Sequence, residues 1–534
     1  MDMKRYIKFN ILAFLIATFG MVSCTGDLDT LPIDPNESTP DIIYADKGAY
    51  KQVLAKCYAG LAVSGQQGPA GKPDISGIDE GFSTYLRQYF KAQELSTDEA
   101  ECAWGDAGLS DYHDQNWTSS NPFITAMYNR IFYQITLVNE FLREATDAKL
   151  DSRGQSDIKA EVAEYRAEAR LLRALSYLHA LDMYGNVPFV TDEHVVGGTF
   201  PQQIMRADLF NFVETELLES VNDLKEPQAN EYGRVDKAAA WMLLARLYLN
   251  AEVYAGTARY ADAATYAKRT IDEGGYNLSP EYAHLFMADN DVSGAAQEVI
   301  FPITFDGQRT QTWGGMTYLI AAGIGGDMPK DQFGTNQGWG GNRTTSAFVD
   351  KFADISGDTD SRAMFFTTNQ SLDIVDRTRF QDGYAISKWK NLTSDGMAGS
   401  NGDFMDTDFP MIRLAEAHLI YAECAVRGGA DRVIALGYIN DLRLRAYGDN
   451  SGDLTDAEMT ESFILDERAR ELYWEGHRRT DLIRFGQFTD GTYLWPWKGG
   501  VADGKTTESF RNLFPLPAAD VGANTNLKQN EGYN

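Results

Sequence analysis

Three tryptophans carry the chemistry most readily read from this chain: Trp104 in ECAWGDAGLSD, Trp313 in RTQTWGGMTY and Trp339 in TNQGWGGNR. An indole is a large apolar plane whose natural place is a core. Short runs of Gly, Asn, Asp and Gln offer little apolar sequence in which to bury one. A rigid aromatic plane in a polar loop is a candidate ligand platform. Sugar is the ligand class that fits: its C–H faces rest on indole, and its hydroxyl rim takes polar partners. A single such Trp is as well explained by a small satellite core. Three in similar contexts point to a binding face.

The other constellations are weaker. Glu467, Glu471 and Glu475 recur every four residues, so they share one helical face. Two carboxyls about 5–9 Å apart would suit a glycosidase. Arg468, Arg470, Arg478 and Arg479 crowd the same segment, however, and an ion-pair lattice is the expectation. The six histidines are scattered, without H-E-x-x-H, and no G-x-S-x-G elbow occurs. The run GGVADGKT (residues 499–506) spells a phosphate-binding loop. It follows LWPWK rather than a buried strand, and too little chain remains for a nucleotide-binding core, so a surface loop is expected. DNDVSG (residues 289–294) matches the first half of a calcium loop but has Ile300 where the last carboxylate should fall.

The elements that must position the tryptophans are helical. EVAEYRAEARLLRALSYLHALDMYG, DKAAAWMLLARLYLNAEVY, ARYADAATYAKRTIDEGGY, MIRLAEAHLIYAECAVRGG and RVIALGYINDLRLRAYG share one recipe, Ala at close-packing points with Leu and Tyr as knobs. ESFILDERARELYWEGHRRTDLIRFG is a further helical segment. This spacing resembles tetratricopeptide pairs, each of which must stack on a neighbour to bury its face. The expected fold is mainly α: a tetratricopeptide-like helical scaffold carrying long loop insertions. Those insertions are the Gly- and Asn-rich stretches 64–83, 100–122, 292–342 and 391–408, and loops of such length are usually functional.

The first residues read as an export leader. Lys4, Arg5 and Lys8 precede an apolar stretch, residues 11–19, too short to span a bilayer. Ser23 then precedes Cys24, as in a bacterial lipobox, which implies cleavage before Cys24 and lipidation there. Ordinary secretion is the alternative. Residues 24–45 read as the lipidated cysteine and an acidic, proline-bearing tether, and 46–534 as one α-rich domain. The net charge of −29 repels nucleic acid. Cys57, Cys102 and Cys424 are odd in number and widely spaced, so free thiols are expected.

Several runs then resemble a family: GRVDKAAAWMLLARLYLNAEVYAG, HLFMADND, MDTDFPMIRLAEAHL, RELYWEGHRRTDLIRFG, YLWPWKGG and the terminal QNEGYN. With the lipobox they resemble the RagB/SusD family of glycan-binding outer-membrane lipoproteins, over essentially the whole chain. The resemblance implies a cell-surface protein without catalytic activity. It would capture starch or malto-oligosaccharide (α-1,4-glucan) for a SusC-type TonB-dependent transporter. Another glycan on the same face, or a loop-built glycoside hydrolase, is the alternative. By matching context the resemblance makes Trp104, Trp313 and Trp339 an aromatic arc, with Trp313 in place of a tyrosine. It supplies Asp79 and Arg87 as polar partners of vicinal hydroxyls. Where the family pattern has an asparagine this chain has Ala107, preceded by Asp106; either Asp106 substitutes or one hydrogen bond is absent. The resemblance also implies a structural calcium ion held by Asp291, Asp406 and Asp408.

Overall fold

The computed structural model describes residues 39–194 and 197–533. Cys24, the leader and most of the tether lie outside the described residues. The chain divides into residues 1–50 and a compact unit from Lys51 to Asn534. In the first, Pro40–Ile43 makes one helical turn, and Tyr44 packs on Tyr50 with ring centroids 4.8 Å apart. No helix among the described residues is long and apolar enough to cross a membrane.

The compact unit is framed by α1 (Tyr85–Glu94), α2 (Pro122–Glu144), α3 (Lys159–Met183), α4 (Arg206–Ser220), α5 (Lys237–Leu249), α6 (Tyr260–Glu273), α7 (Gly315–Gly323), α8 (Leu414–Val426), α9 (Arg432–Tyr447), α10 (Glu461–Leu472) and α11 (Arg478–Arg484). Helices α2 to α6 pack each on the next, and the stack continues through α8 to α9 and α10. Each helix thereby buries both sides of its apolar stripe, as a tetratricopeptide-like stack requires. In α5 every Ala and Leu is buried. Starts are set locally: the Asn121 side chain accepts from the Phe123 and Ile124 N–H groups ahead of Pro122, and Asp236 does the same for Ala238 and Ala239. Helix α9 ends on Gly448 at φ 74°.

Strands are few and short. β1 (Glu101–Cys102) pairs with β3 (Asn342–Arg343), and β2 (Val299–Ile303) with β4 (Phe409–Arg413), both antiparallel. Helix α1 packs against α2, α7 and α11, and α7 against β3. The subassembly α1–α7–β1–β3 is the ground on which the tryptophans stand.

Two expectations are corrected. The stretch 292–342 is not plain loop, since it contains β2 and α7. The segment 461–486 is two helices, because the chain breaks at Trp474 and Gly476, both in the left-handed region (φ 60° and 86°). The break is held in the core: Trp474 donates its backbone N–H to Glu99 Oε2 at 3.1 Å and its indole N–H to the Glu99 carbonyl at 3.0 Å.

The glutamate ladder is an ion-pair lattice, as expected, but it is buried and most of its partners are distant. Arg362 reaches Glu467 at 2.8 Å and Glu471 at 3.1 Å, Arg413 reaches Glu471 and Glu475 at 2.7 Å each, and Lys388 reaches Glu475 at 2.6 Å. Of the nearby arginines only Arg470 joins it; Arg468, Arg478 and Arg479 pair with Asp481, Asp98 and Asp182. Residues 499–506 form surface turns without a following phosphate-binding helix. Cys57, Cys102 and Cys424 are free thiols, and burial pushes Cys57 up to about 12 and Cys102 to about 11.

Candidate functional site

The three tryptophans meet. Trp339 is central, with its ring centroid 6.3 Å from Trp104 and 6.2 Å from Trp313. Neighbouring planes are inclined by 45° and 52°, so the three rings are not coplanar. All three are half-buried.

Their placement follows from the short strands and α7. The β1–β3 ladder continues as Ala103 N–H to the Gly341 carbonyl at 2.8 Å, which brings Trp104 beside Trp339. The Trp104 indole N–H then donates to the Trp339 carbonyl at 3.1 Å. The N–H groups of Trp339, Gly340 and Gly341 donate to the Ala321, Ile324 and Ala322 carbonyls at 2.8, 2.8 and 2.9 Å. Acceptors at and just past the end of α7 therefore pin the central indole's backbone. Trp313 sits just ahead of the same helix, and its N–H donates to Glu80 Oε2 at 3.3 Å. Two glycines allow the close approach. A Cβ on Gly341 would lie 2.6 Å from Trp104 Cε2, and one on Gly81 would lie 2.5 Å from Trp313 Cβ.

Arg87 joins the arc from α1. Its guanidinium lies 4.4 Å from the Tyr318 ring centroid and 6.0 Å from that of Trp104, and Nη1 donates to the Trp313 carbonyl at 3.4 Å. Its Nε is buried and has no hydrogen-bond partner among the described residues. Burial lowers its pKa from the ordinary value, while Tyr318, Cys102, Asp106 and Asp79 act the other way. Asp79 and Asp106 are both exposed at this edge. Asp79 also accepts weakly from the Phe82 N–H at 3.4 Å, closing its own turn. Ala107 is exposed beside Asp106. A guanidinium fork with carboxylates nearby can donate to and accept from adjacent hydroxyls.

Sequence reading missed the residues behind the arc. Tyr318 on α7 backs Arg87 and Trp104, the latter at 6.0 Å. Phe404 packs on Trp313 at 4.8 Å. Lys91, one turn after Arg87, is buried 4.3 Å from the Phe82 ring centroid and 4.1 Å from that of Phe123, and burial takes its pKa well below the ordinary value. The spacing of Arg87 and Lys91 on an amphipathic segment was the available signal for α1 and its inward-facing cations.

The calcium candidates come from two segments. Burial, with the charges of Asp291 and Asp406 adding, pushes Asp408 up to about 7. This occurs although Asp408 accepts from the Phe305 N–H at 2.7 Å and the Tyr232 hydroxyl at 2.9 Å. Asp406 accepts from the Gly307 N–H at 2.7 Å and the Ser400 hydroxyl at 2.8 Å. Hard carboxylate oxygens that repel one another suit a calcium ion in type. Among the described residues, no group of three or more His, Cys, Asp or Glu side chains is already gathered to hold a metal. Asp289 is turned elsewhere, accepting from the Ser394 N–H at 2.8 Å, and Ile300 is buried in β2.

Comparison with known proteins gives this geometry a lineage. Residues 364–533 match the SusD family. The starch-binding protein SusD of Bacteroides thetaiotaomicron is 38% identical, over 99% of both chains. SusD-like protein P2 of Formosa agariphila is 24% identical over 80% of this chain and 85% of its own. The fold matches a SusD homolog from B. thetaiotaomicron with a TM-score of 0.71 at 20% identity, covering 92% of this chain and 98% of that one. It also matches surface glycan-binding protein A of the same organism, solved with laminarihexaose, with a TM-score of 0.67 at 20% identity, covering 90% and 98%. A relative this similar from end to end, together with the shared helical fold, establishes that the chain belongs to the SusD family.

Proposed function

We propose that this protein is a cell-surface receptor for α-1,4-glucan, such as starch and malto-oligosaccharides. The observation that carries the reading is the contiguous series Trp104–Trp339–Trp313, with planes inclined by 45° and 52°. Consecutive glucoses of an α-1,4 chain turn their faces along a coil, so each ring can meet its own indole. A flat β-1,4 ribbon meets one or two. Arg87 supplies donors beside Trp104 and Trp313, and the exposed Asp79 and Asp106 supply acceptors. Similarity along the whole chain to a starch-binding protein supports the same ligand.

Capture without chemistry is the reading. Glu80, the buried acid next to Trp313, is committed to that residue's backbone N–H rather than poised across a cleft. Lipid on Cys24 and the acidic tether would hold the receptor at the outer membrane, facing outward. A SusC-type TonB-dependent transporter would take the captured chain. Asp291, Asp406 and Asp408 would hold a calcium ion that ties the turn at Asp291, ahead of β2, to the loop before β4. Calcium should then raise the unfolding temperature above that in chelator, and the triple Asp→Asn variant should show no such difference.

The function is tested by isothermal calorimetry with maltoheptaose, α-cyclodextrin and cellohexaose. Heat with the first two and none with the third is expected, with no reducing ends released. Preference for cellohexaose, or sustained hydrolysis, would overturn the assignment.

A further inference from the structure

The central indole is held by a polar relay whose direction is fixed. Trp339 Nε1 donates to Gln337 Oε1 at 3.1 Å, and Gln337 Nε2 donates to Asp403 Oδ1 at 2.8 Å. An indole N–H can only donate and a carboxylate can only accept, so the intervening amide has one usable orientation. The two segments are laced on either side. Asn336 N–H donates to the Gly402 carbonyl at 2.7 Å, Asn336 Nδ2 to Asp403 Oδ1 at 3.3 Å, and Asp403 N–H to Asn401 Oδ1 at 2.9 Å. The residue after Asp403 is Phe404, which is buried against Trp313. Asp403 and Phe404 thus reach two of the three indoles, Trp339 through Gln337 and Trp313 by a ring contact.

We propose that Asp403, acting through Gln337, is a positioning residue that sets the tilt of Trp339, and hence which glucan curvature the arc accepts. The proposal rests on the glucan-receptor reading above. The relay fixes the indole's edge, and α7 fixes its backbone. Between them the ring has one inclination to each neighbour. Releasing the edge leaves the indole in place but free to rock. A cyclic ligand of fixed curvature should then lose more affinity than a linear chain that can adapt.

The test is a polarity swap. Gln337→Glu sets a second carboxylate against Asp403 and breaks the relay. Asp403→Asn alone permits a flipped amide. Combined, the introduced carboxylate accepts from both the indole and the introduced amide, the Asn336 amide turns to accept the other amide hydrogen, and the relay is restored. Titrations with α-cyclodextrin and maltoheptaose should show Gln337→Glu weakening the cyclic ligand about tenfold, and the linear one less. The double variant should return to within about threefold of native for both, a non-additive recovery that generic damage would not give. Equal losses for both ligands, or additive losses in the double variant, would overturn the relay. Native protein that binds neither glucan would instead overturn the receptor reading. The near-ultraviolet circular dichroism of the indoles would then read the relay by itself: changed by Gln337→Glu and restored by the swap if the proposal holds, unchanged throughout if it does not.

Discussion

At the scale of residues, three indoles come together because small residues let them lie close to the backbone. Gly341 is the clearest case, since Trp104 lies across it. Gly341→Ala should push the indole aside, loosen its bond to the Trp339 carbonyl and weaken maltoheptaose binding by about tenfold, at a stability cost of about 1–3 kcal/mol. Calorimetry and thermal unfolding measure the two parts separately. The tryptophans were legible in the sequence because an indole among Gly and Asn has no local place to go. Tyr318, Phe404 and Gln337 were not, because each is unremarkable in its own segment and gains its role only when distant segments meet. Asp79, Arg87 and Asp106 came from resemblance rather than from pattern. The structure gathers the charges of Asp79 and Asp106 around the Arg87 guanidinium.

At the scale of elements, α1 connects the face to the core. Arg87 stands near its start, and Glu94 at its end accepts from the Gly476 N–H at 2.6 Å in the turn between α10 and α11. Burial pushes Glu94 up to about 7, and Glu99 rises well above the ordinary range through burial and the neighbouring Glu94 charge. The two carboxyls are neighbours and titrate as a pair. A raised folded-state pKa means that the native state binds the proton more tightly than the unfolded chain. Its contribution is present at low pH and is lost as pH rises from the ordinary carboxylate range through about 7. Denaturant midpoints should therefore fall between pH 4.5 and about pH 7, and Glu99→Gln, which can donate to Glu94 and accept from the Trp474 N–H, should flatten that fall. An unchanged slope in the variant would remove the pair as its cause. The helices of the stack were readable because their Ala, Leu and Tyr spacing is strong. Helix α7 was hidden in a glycine-rich stretch, and the α10–α11 break was masked because Trp474 adopts a left-handed conformation that only its core partners explain.

At the scale of the whole molecule, the helical stack buries the apolar surface, and the ion-pair lattice around Glu467, Glu471 and Glu475 ties α10 to β4 and to residues 362 and 388. Burial would raise Glu467, but Arg362, Arg470 and Arg443 hold it down to about 2. Glu471→Ala would remove the carboxylate that Arg413, Arg445 and Arg362 share, leaving Glu298 alone between the first two, and should cost about 3–5 kcal/mol by denaturant unfolding. A rigid frame of this kind lets short strands and loops hold an aromatic surface at fixed inclination, which is what selection for ligand curvature needs. We propose that this surface is the glucan site. The direct measurement is calorimetric titration of maltoheptaose into the native protein and into the Trp104→Ala/Trp339→Ala variant, with matched unfolding curves. The account predicts binding to the native protein and a loss of at least about 100-fold in the variant. Native-like affinity in a folded double variant would contradict it.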